Sequence, residues 1–146
     1  MKKAFYSLST LFVLLLSSFT IANDPSKDIL GRWKIDDAHT GTVAKYIIES
    51  TRAKNPEMAQ QMEENFEMVV GMIQGIVIEY KADGSLITET PQGNQNATYS
   101  FDDNFKSLIV KRPNGTQRKD SILELSATRL KLINRERGDT TLFVKL

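Results

Sequence analysis

From residue 76 to the C-terminus, the chain is a series of short segments in which apolar and polar residues alternate, separated by brief polar breaks. In the first of these segments, Ile76, Ile78 and Tyr80 fall on one side, while Glu79 and Lys81 fall on the other. A period of two places one face of a strand against a core and the other in water, which is typical of antiparallel sheets. Because the breaks are short, consecutive strands are expected to pair as hairpins. The pattern therefore predicts a β-meander.

Eight strands are predicted in all. They are 31–36, 76–82, 85–90, 96–101, 107–112, 118–125, 129–135 and 140–146. In the last strand, Leu142, Val144 and Leu146 are assigned to the buried face and Lys145 to the opposite one. A sheet of this size with one buried face tends to close into a barrel, because closure removes the exposed edges.

Between the first two predicted strands the periodicity changes to that of a helix. Residues 56–75 are expected to form one amphipathic helix, ending at Gly75, and residues 42–54 a shorter one. The apolar side of the longer helix carries residues at spacings of three and four, namely Met58, Met62, Phe66, Val69 and Ile73. The predicted fold is thus mainly β, a small closed barrel with a helical hairpin inserted after the first strand. The hairpin either packs permanently on the sheet or acts as a movable lid.

The N-terminus has the order of features found in a secretory signal. Lys2 and Lys3 supply positive charge, an apolar run covers residues 11–16, and Ala22 offers a small residue before a cleavage point. The apolar run is too short to span a bilayer, which takes about 20 residues. We therefore expect a signal peptide over 1–22 and a single domain over 23–146, secreted or periplasmic and without a membrane span; the alternative is an anchor that stays attached.

Composition excludes several classes of function. The chain has no cysteine, which rules out disulfides and thiolate chemistry. Its 19 basic and 18 acidic residues leave a net charge of only +1, which does not suggest binding to nucleic acid. The single histidine, His39, is expected in a solvated loop, with Thr40 or Thr42 capping the helix that follows. No motif of a nucleotide, metal or hydrolase site is present. We expect no enzyme activity, no catalytic residue, no metal and no cofactor.

The first strand carries a short motif, Gly31-x-Trp33 in ILGRWKID, ahead of the meander. By this motif and its position the chain resembles the calycin group, and above all the small secreted lipocalin-like domains of bacteria. The resemblance implies a tryptophan packed across the closed end of the barrel, with Arg135 or Arg137 stacked on it. The inserted hairpin is similar to that of fatty-acid-binding proteins, but the last strand has no Arg-x-Tyr pair for a ligand carboxylate.

The function expected from these features is non-enzymatic binding of a small hydrophobic molecule inside the barrel. The residues expected to line its mouth are Met62, Phe66, Tyr80, Tyr99 and Phe101. The alternative is a barrel filled by its own side chains, which serves as a periplasmic or envelope protein-interaction module or inhibitor. The sequence identifies no protein partner.

Overall fold

The computed structural model describes residues 24–146, so the predicted signal peptide lies outside the described residues. Eight antiparallel strands form a closed barrel in which each strand pairs with its neighbours in sequence and the first pairs with the last. The strands are β1 (Gly31–Ile35), β2 (Val77–Tyr80), β3 (Ser85–Thr90), β4 (Gly93–Asp102), β5 (Ser107–Lys111), β6 (Gln117–Leu125), β7 (Arg129–Asn134) and β8 (Thr140–Lys145). The predicted fold class and the order of its eight strands are confirmed.

Four helices accompany the barrel. They are α1 (Pro25–Asp28) before β1, and α2 (Asp37–Arg52), α3 (Pro56–Glu64) and α4 (Phe66–Gln74) between β1 and β2. The inserted helical region is therefore where the sequence predicts it. None of the helices between residues 24 and 146 is long and apolar enough to cross a bilayer.

The inward side of β8 differs from the sequence prediction. Phe143 is 7% exposed and pairs across the barrel seam with Ile35 of β1, so it faces the core. Neighbouring residues of a strand point to opposite faces. Leu142 and Val144 therefore face outward, where they are half-buried, and Leu146 is exposed. The assignment failed because β8 carries apolar residues on both faces, so its alternation does not say which face is buried.

Strand β6 contains a β-bulge that accommodates two adjacent apolar residues. The pairing with β7 shifts between Ile122 and Glu124, which leaves Leu123 unpaired and 55% exposed. Ile122 and Leu125 both pack against the core as a result. The bulge keeps the inward face of β6 continuous from its first residues to its last.

Helix α2 begins earlier than predicted. Its N-cap is Asp36, whose Oδ1 accepts a hydrogen bond from the backbone N–H of Ala38 at 2.9 Å. His39 and Thr40 thus lie in the first turn of the helix rather than in a loop, and neither threonine is the cap. His39 Nε2 lies 2.7 Å from the carbonyl oxygen of Thr140, so this turn is joined to the start of β8.

The predicted helix over 56–75 is two helices, separated at Asn65. The backbone of Asn65 leaves the helical region, with φ −115° and ψ 38°, and its Nδ2 donates to the carbonyl oxygen of Gln61 at 2.8 Å. An asparagine side chain that bonds nearby backbone competes with helix continuation. The break changes the packed face: Ala59 is buried in α3, whereas Met58 is 52% exposed and was wrongly assigned to the apolar side.

Candidate ligand-binding site

One end of the barrel is filled by large apolar side chains. Trp33, Leu108 and Leu130 have no exposed surface. The Trp33 indole also satisfies its polar atom, since Nε1 donates to the carbonyl oxygen of Ile29 at 2.7 Å. We call this the closed end; α1 lies here, joined to the last strand by a hydrogen bond from Lys145 Nζ to the carbonyl oxygen of Asp28 at 2.9 Å.

The cation over the tryptophan is a lysine of the last strand. Lys145 Nζ lies 4.9 Å from the centre of the Trp33 ring, a distance at which a cation is attracted to the ring face. The expectation that Arg135 or Arg137 would fill this place is wrong. Arg135 hydrogen-bonds serine hydroxyls of neighbouring strands, and Arg137 forms an ion pair at the other end of the barrel.

The other end, which we call the open end, contains a cavity of about 530 Å³. Most of its lining comes from the end where the odd-numbered strands finish and the even-numbered strands begin, which is the end where α2 to α4 are inserted. Tyr80, the last residue of β2, and Leu86, near the start of β3, also line it and lie nearer the closed end. Part of the lining is apolar, with Ile35, Ile76, Ile78, Leu86, Val110 and Phe143. The barrel is therefore filled over only part of its length.

The remainder of the lining is polar and carries two ion pairs. In the first, Arg118 Nε donates to Asp120 Oδ2 at 2.9 Å. In the second, the Arg137 guanidinium binds both oxygens of Asp139, at 2.8 and 3.1 Å. These acids are 3% and 5% exposed, so each buried carboxylate has a cation beside it. Opposite charges cancel within each pair.

Asp120 differs from Asp139 in having an unsatisfied oxygen. Its Oδ1 is buried and has no hydrogen-bond partner within residues 24–146. Burial raises the pKa of the Asp120 carboxyl, and the charge of Asp139 acts in the same direction, while Arg118 and Arg137 oppose the rise. Removing a carboxylate from water disfavours its charged form, which explains the direction of the pKa shift.

Tyr80 lies at the same cavity, on the strand opposite β6 in the barrel. Its side chain is 3% exposed, and burial raises the pKa of the phenol well above its usual value. The charges of Arg118 and Asp120 both act on it. Tyr80 is consequently an uncharged hydroxyl at neutral pH.

Of the five residues expected to line the mouth, only Tyr80 lines the cavity. Tyr99 and Phe101 continue inward-facing along β4 toward the closed end, where Tyr99 packs edge-to-face on Tyr80 at 5.0 Å between ring centres. Met62 and Phe66 are half-buried and pack against the core from the helices. Contact of these residues with a ligand stays a prediction.

The helices border the open end without contributing to the lining of its cavity. The residues that line it come from the strands and their connections, and none belongs to α2, α3 or α4. Helix α2 does adjoin the mouth: Tyr46, Glu49 and Ser50 form a smaller cleft, of about 300 Å³, against Arg137 and Asp139. This placement favours permanent packing of the helices over a lid.

The polar lining was missed by the sequence analysis, although β6 carries a signal for it. Arg118, Asp120 and Ile122 lie on one face of the strand. Because the apolar Ile122 packs against the core, this face points into the barrel. Two charged residues on an inward face do not fit an apolar core. Such a face predicts a polar cavity once the direction of the strand is known.

Comparison with known proteins adds information on the fold alone. No family model matches the chain, and no curated protein matches it in sequence. Among solved structures it is similar to a lipocalin-like protein from Bacteroides uniformis, at 11% identity and a TM-score of 0.47, over 82% of this chain and 99% of that one. It is also similar to a DUF4847 family protein from Bacteroides vulgatus, at 14% identity and a TM-score of 0.52, over 81% and 94%.

The fold is a calycin-type barrel. As in the resemblance drawn from Gly31-x-Trp33, this lipocalin-like barrel has eight strands in sequence order and a tryptophan across its closed end. The cavity at the open end of the lipocalin-like barrel is the candidate ligand-binding site.

Proposed function

We propose that the protein is a secreted, non-enzymatic binding module that holds a small hydrophobic molecule in the open end of its barrel. The observation that carries this proposal is the cavity of about 530 Å³, partly lined by apolar side chains. Ligand pockets typically have volumes of roughly 300–1,000 Å³ and a mostly apolar lining with a few polar groups. The cavity has that size and that combination of residues.

The non-enzymatic part of the proposal is supported by the chemistry of the available side chains. The chain has no cysteine and one histidine. That histidine, His39, is engaged at its Nε2 with the carbonyl oxygen of Thr140 and does not line the cavity. Each acid in the cavity lining is paired with an arginine. This set of side chains supports binding of a molecule rather than catalysis.

Uptake of the neutral fluorescent probe N-phenylnaphthylamine tests the proposal directly. Ala97 lines the cavity from β4, so Ala97→Trp should fill part of the space and abolish the fluorescence gain. Thr98 is the next residue of the same strand and is exposed on the outer face, so Thr98→Trp is a matched control that should bind normally. Circular dichroism shows whether both variants keep their strands.

The same experiment distinguishes this proposal from the alternative, in which the barrel acts through its surface as a protein-interaction module or inhibitor. Uptake that is lost in Ala97→Trp and kept in Thr98→Trp supports the cavity. If the wild-type protein takes up no lipophilic probe, or if Ala97→Trp binds as well as wild type, the cavity is not a binding site. The surface alternative then becomes the better account.

Export is supported by the signal-like order of Lys2, Lys3, residues 11–16 and Ala22. Intact-mass measurement on exported protein should give a chain that begins at Asn23. A full-length chain recovered with membranes would contradict secretion.

A further inference from the structure

The lining of the cavity contains one more arginine than its acids can balance. Its charged side chains are Arg112, Arg118, Asp120, Arg137 and Asp139. Arg118 pairs with Asp120, and Arg137 pairs with Asp139. Arg112 forms no ion pair and no side-chain hydrogen bond within residues 24–146, although it lines the same space. Three arginines against two aspartates leave the lining with an excess positive charge.

The unpaired arginine lies at the rim of the open end, next to Arg118. Arg112 is exposed and directly follows β5, and its backbone N–H continues the pairing with β6 by bonding the carbonyl oxygen of Thr116 at 2.9 Å. Two residues earlier, Val110 is the pairing partner of Arg118. Arg112 and Arg118 are therefore diagonal neighbours on the inward face, an arrangement in which Cβ atoms are roughly 7–8 Å apart. Both long side chains can reach one small group at the rim.

Both guanidinium groups have donors available to a ligand. Arg118 bonds Asp120 through Nε alone, at 2.9 Å, which leaves its two terminal nitrogens without a hydrogen-bond partner among the residues that the structure describes. The terminal nitrogens of a guanidinium form a planar fork that matches the two oxygens of a carboxylate. A carboxylate at the rim would thus meet both the excess charge and the free donors.

Deeper in the barrel, the lining is mainly apolar. Val110 precedes Arg112 on the inward face of β5, and Ile78 pairs with Trp33 of the closed end. Tyr80, which lies nearer the closed end, is uncharged at neutral pH. Apolar groups gain from burial at this depth, whereas a charged group moved there would lose its water. The cavity is therefore cationic at the rim and apolar inside.

We propose that the cavity takes an amphipathic carboxylate, with its apolar part inside the barrel and its acid group at the rim against Arg112 and Arg118. This inference rests on the proposed function and adds the chemical class of the ligand and its direction in the cavity. Hydrogen bonds between charged partners are stronger than those between neutral ones, so a neutral molecule of the same length binds less tightly. A cation of that length is repelled by the excess charge of the rim.

The first test compares ligands with the same ten-carbon chain by displacement of N-phenylnaphthylamine at low salt. Decanoate carries a negative charge, decanol none and decylammonium a positive charge. We expect decanoate to bind about tenfold more tightly than decanol, the ratio typical of hydrogen bonds to a charged group, and decylammonium to bind most weakly. Added salt should narrow the gap, because Arg112 is exposed and exposed charges are screened.

Substitution of Arg112 then identifies the group that recognises the acid. Arg112→Gln removes the unpaired charge, so most of the preference for decanoate over decanol should disappear. Lys111→Gln is a matched control, because Lys111 is the adjacent residue, is exposed and does not line the cavity. It removes the same charge from the chain and should keep the preference. Circular dichroism shows whether both variants keep their strands.

The direction of the ligand is tested through Trp33, the only tryptophan of the chain, which is buried at the closed end. Bromine quenches tryptophan fluorescence at short range. At saturation, decanoate brominated at the end of its chain should therefore quench Trp33 more strongly than decanoate brominated beside the carboxylate. Equal quenching by the two acids, including none by either, or stronger quenching by the second acid, would overturn the placement of the apolar part inside.

Each result of the binding experiments also has a defined meaning. The carboxylate site is overturned if wild-type protein binds decanoate no more tightly than decanol, or if the preference survives Arg112→Gln. It is also overturned if Lys111→Gln reduces the preference as much as Arg112→Gln does. In these cases the ligands still displace the probe, so the proposed function stands. If neither the probe nor any of the three ligands binds to folded protein, both proposals fall.

Discussion

The two ends of the barrel are built from the same eight strands and yet differ in composition and packing. At the closed end, the inward positions carry Trp33, Leu108 and Leu130, all without exposed surface. At the open end, the inward positions of the same sheet include Arg118 and Asp120, and the space between the strands is a cavity. From this comparison we expect truncations at the closed end to cost more stability than truncations of side chains that line the cavity.

The difference follows from what a closed sheet requires. Each strand is hydrogen-bonded to two neighbours around the closed barrel, so the interior does not have to be filled along its whole length to keep the strands paired. The fold needs only enough buried apolar area somewhere along its axis. Matched substitutions at the two ends therefore test whether their packing differs.

Trp33→Ala is expected to have the largest effect, a loss of about 3–5 kcal/mol in the free energy of unfolding, because the truncation leaves a cavity that its neighbours fill only in part. Ile78, its pairing partner on β2, lines the existing cavity. Ile78→Ala should cost only about 1–2 kcal/mol, since that side chain already has an open side. Urea unfolding followed by circular dichroism measures both, and equal losses would contradict the contrast between the ends.

Strand β5 allows the same comparison within one element. Leu108 is fully buried at the closed end, and Val110, two residues further on, lines the cavity. Leu108→Ala should lower the free energy of unfolding by about 2–4 kcal/mol and Val110→Ala by about 1 kcal/mol. Denaturant midpoints with an unchanged m-value would show that both act on the folded state. A larger loss for Val110→Ala would mean that the open end is the better packed of the two.

Lys145 tests how much the polar contacts of the closed end contribute. Lys145→Met keeps the length of the side chain but removes the ammonium above Trp33 and the hydrogen bond to the carbonyl oxygen of Asp28. We expect a loss of about 1 kcal/mol, and most of it should be recovered in Lys145→Arg, which keeps a cation and a donor. Thermal unfolding of the three proteins provides the measurement. If the arginine variant is no more stable than the methionine variant, the charge contributes nothing.

Asp120→Asn should have the smallest effect and the opposite sign, a gain of up to about 1 kcal/mol at neutral pH. Because burial raises the pKa of Asp120, the folded state binds its proton more tightly than the unfolded chain does. Ionisation at neutral pH therefore costs stability, and this cost is removed as the pH falls through the raised pKa.

Urea unfolding at neutral pH and near the ordinary carboxyl pKa of about 4 checks the sign. The advantage of Asp120→Asn should shrink toward the lower pH. A variant that is less stable than wild type at neutral pH would show that the pair with Arg118 stabilises more than burial of the carboxylate costs.

The strands and their order could be predicted because their signals are local. Alternation of Ile76, Ile78 and Tyr80 and of similar sets marks each strand, and short polar turns join them. The helical insertion was also evident from its spacing. Its break at Asn65 was not, since the apolar spacing runs on through that residue and the competing bond to Gln61 exists only once the helix has formed.

The candidate site was less predictable, because it depends on residues distant in sequence. Tyr80 on β2 and Arg118 on β6 meet at one cavity only because closure of the barrel sets these strands opposite each other. Likewise, the cation above Trp33 comes from Lys145, which the register between β1 and β8 brings alongside it.

Period-two patterning and turn residues are properties of short segments, so they predict the strands and the antiparallel meander from local sequence. The position of Trp33 at the closed end was instead implied by the resemblance carried by Gly31-x-Trp33. By contrast, three features come from the folded structure alone: which face of β8 is buried, how the inserted helices pack on the barrel, and how far the interior is filled. Those features depend on strand register and on the volume left between side chains from all eight strands, and no single segment of the chain contains that information.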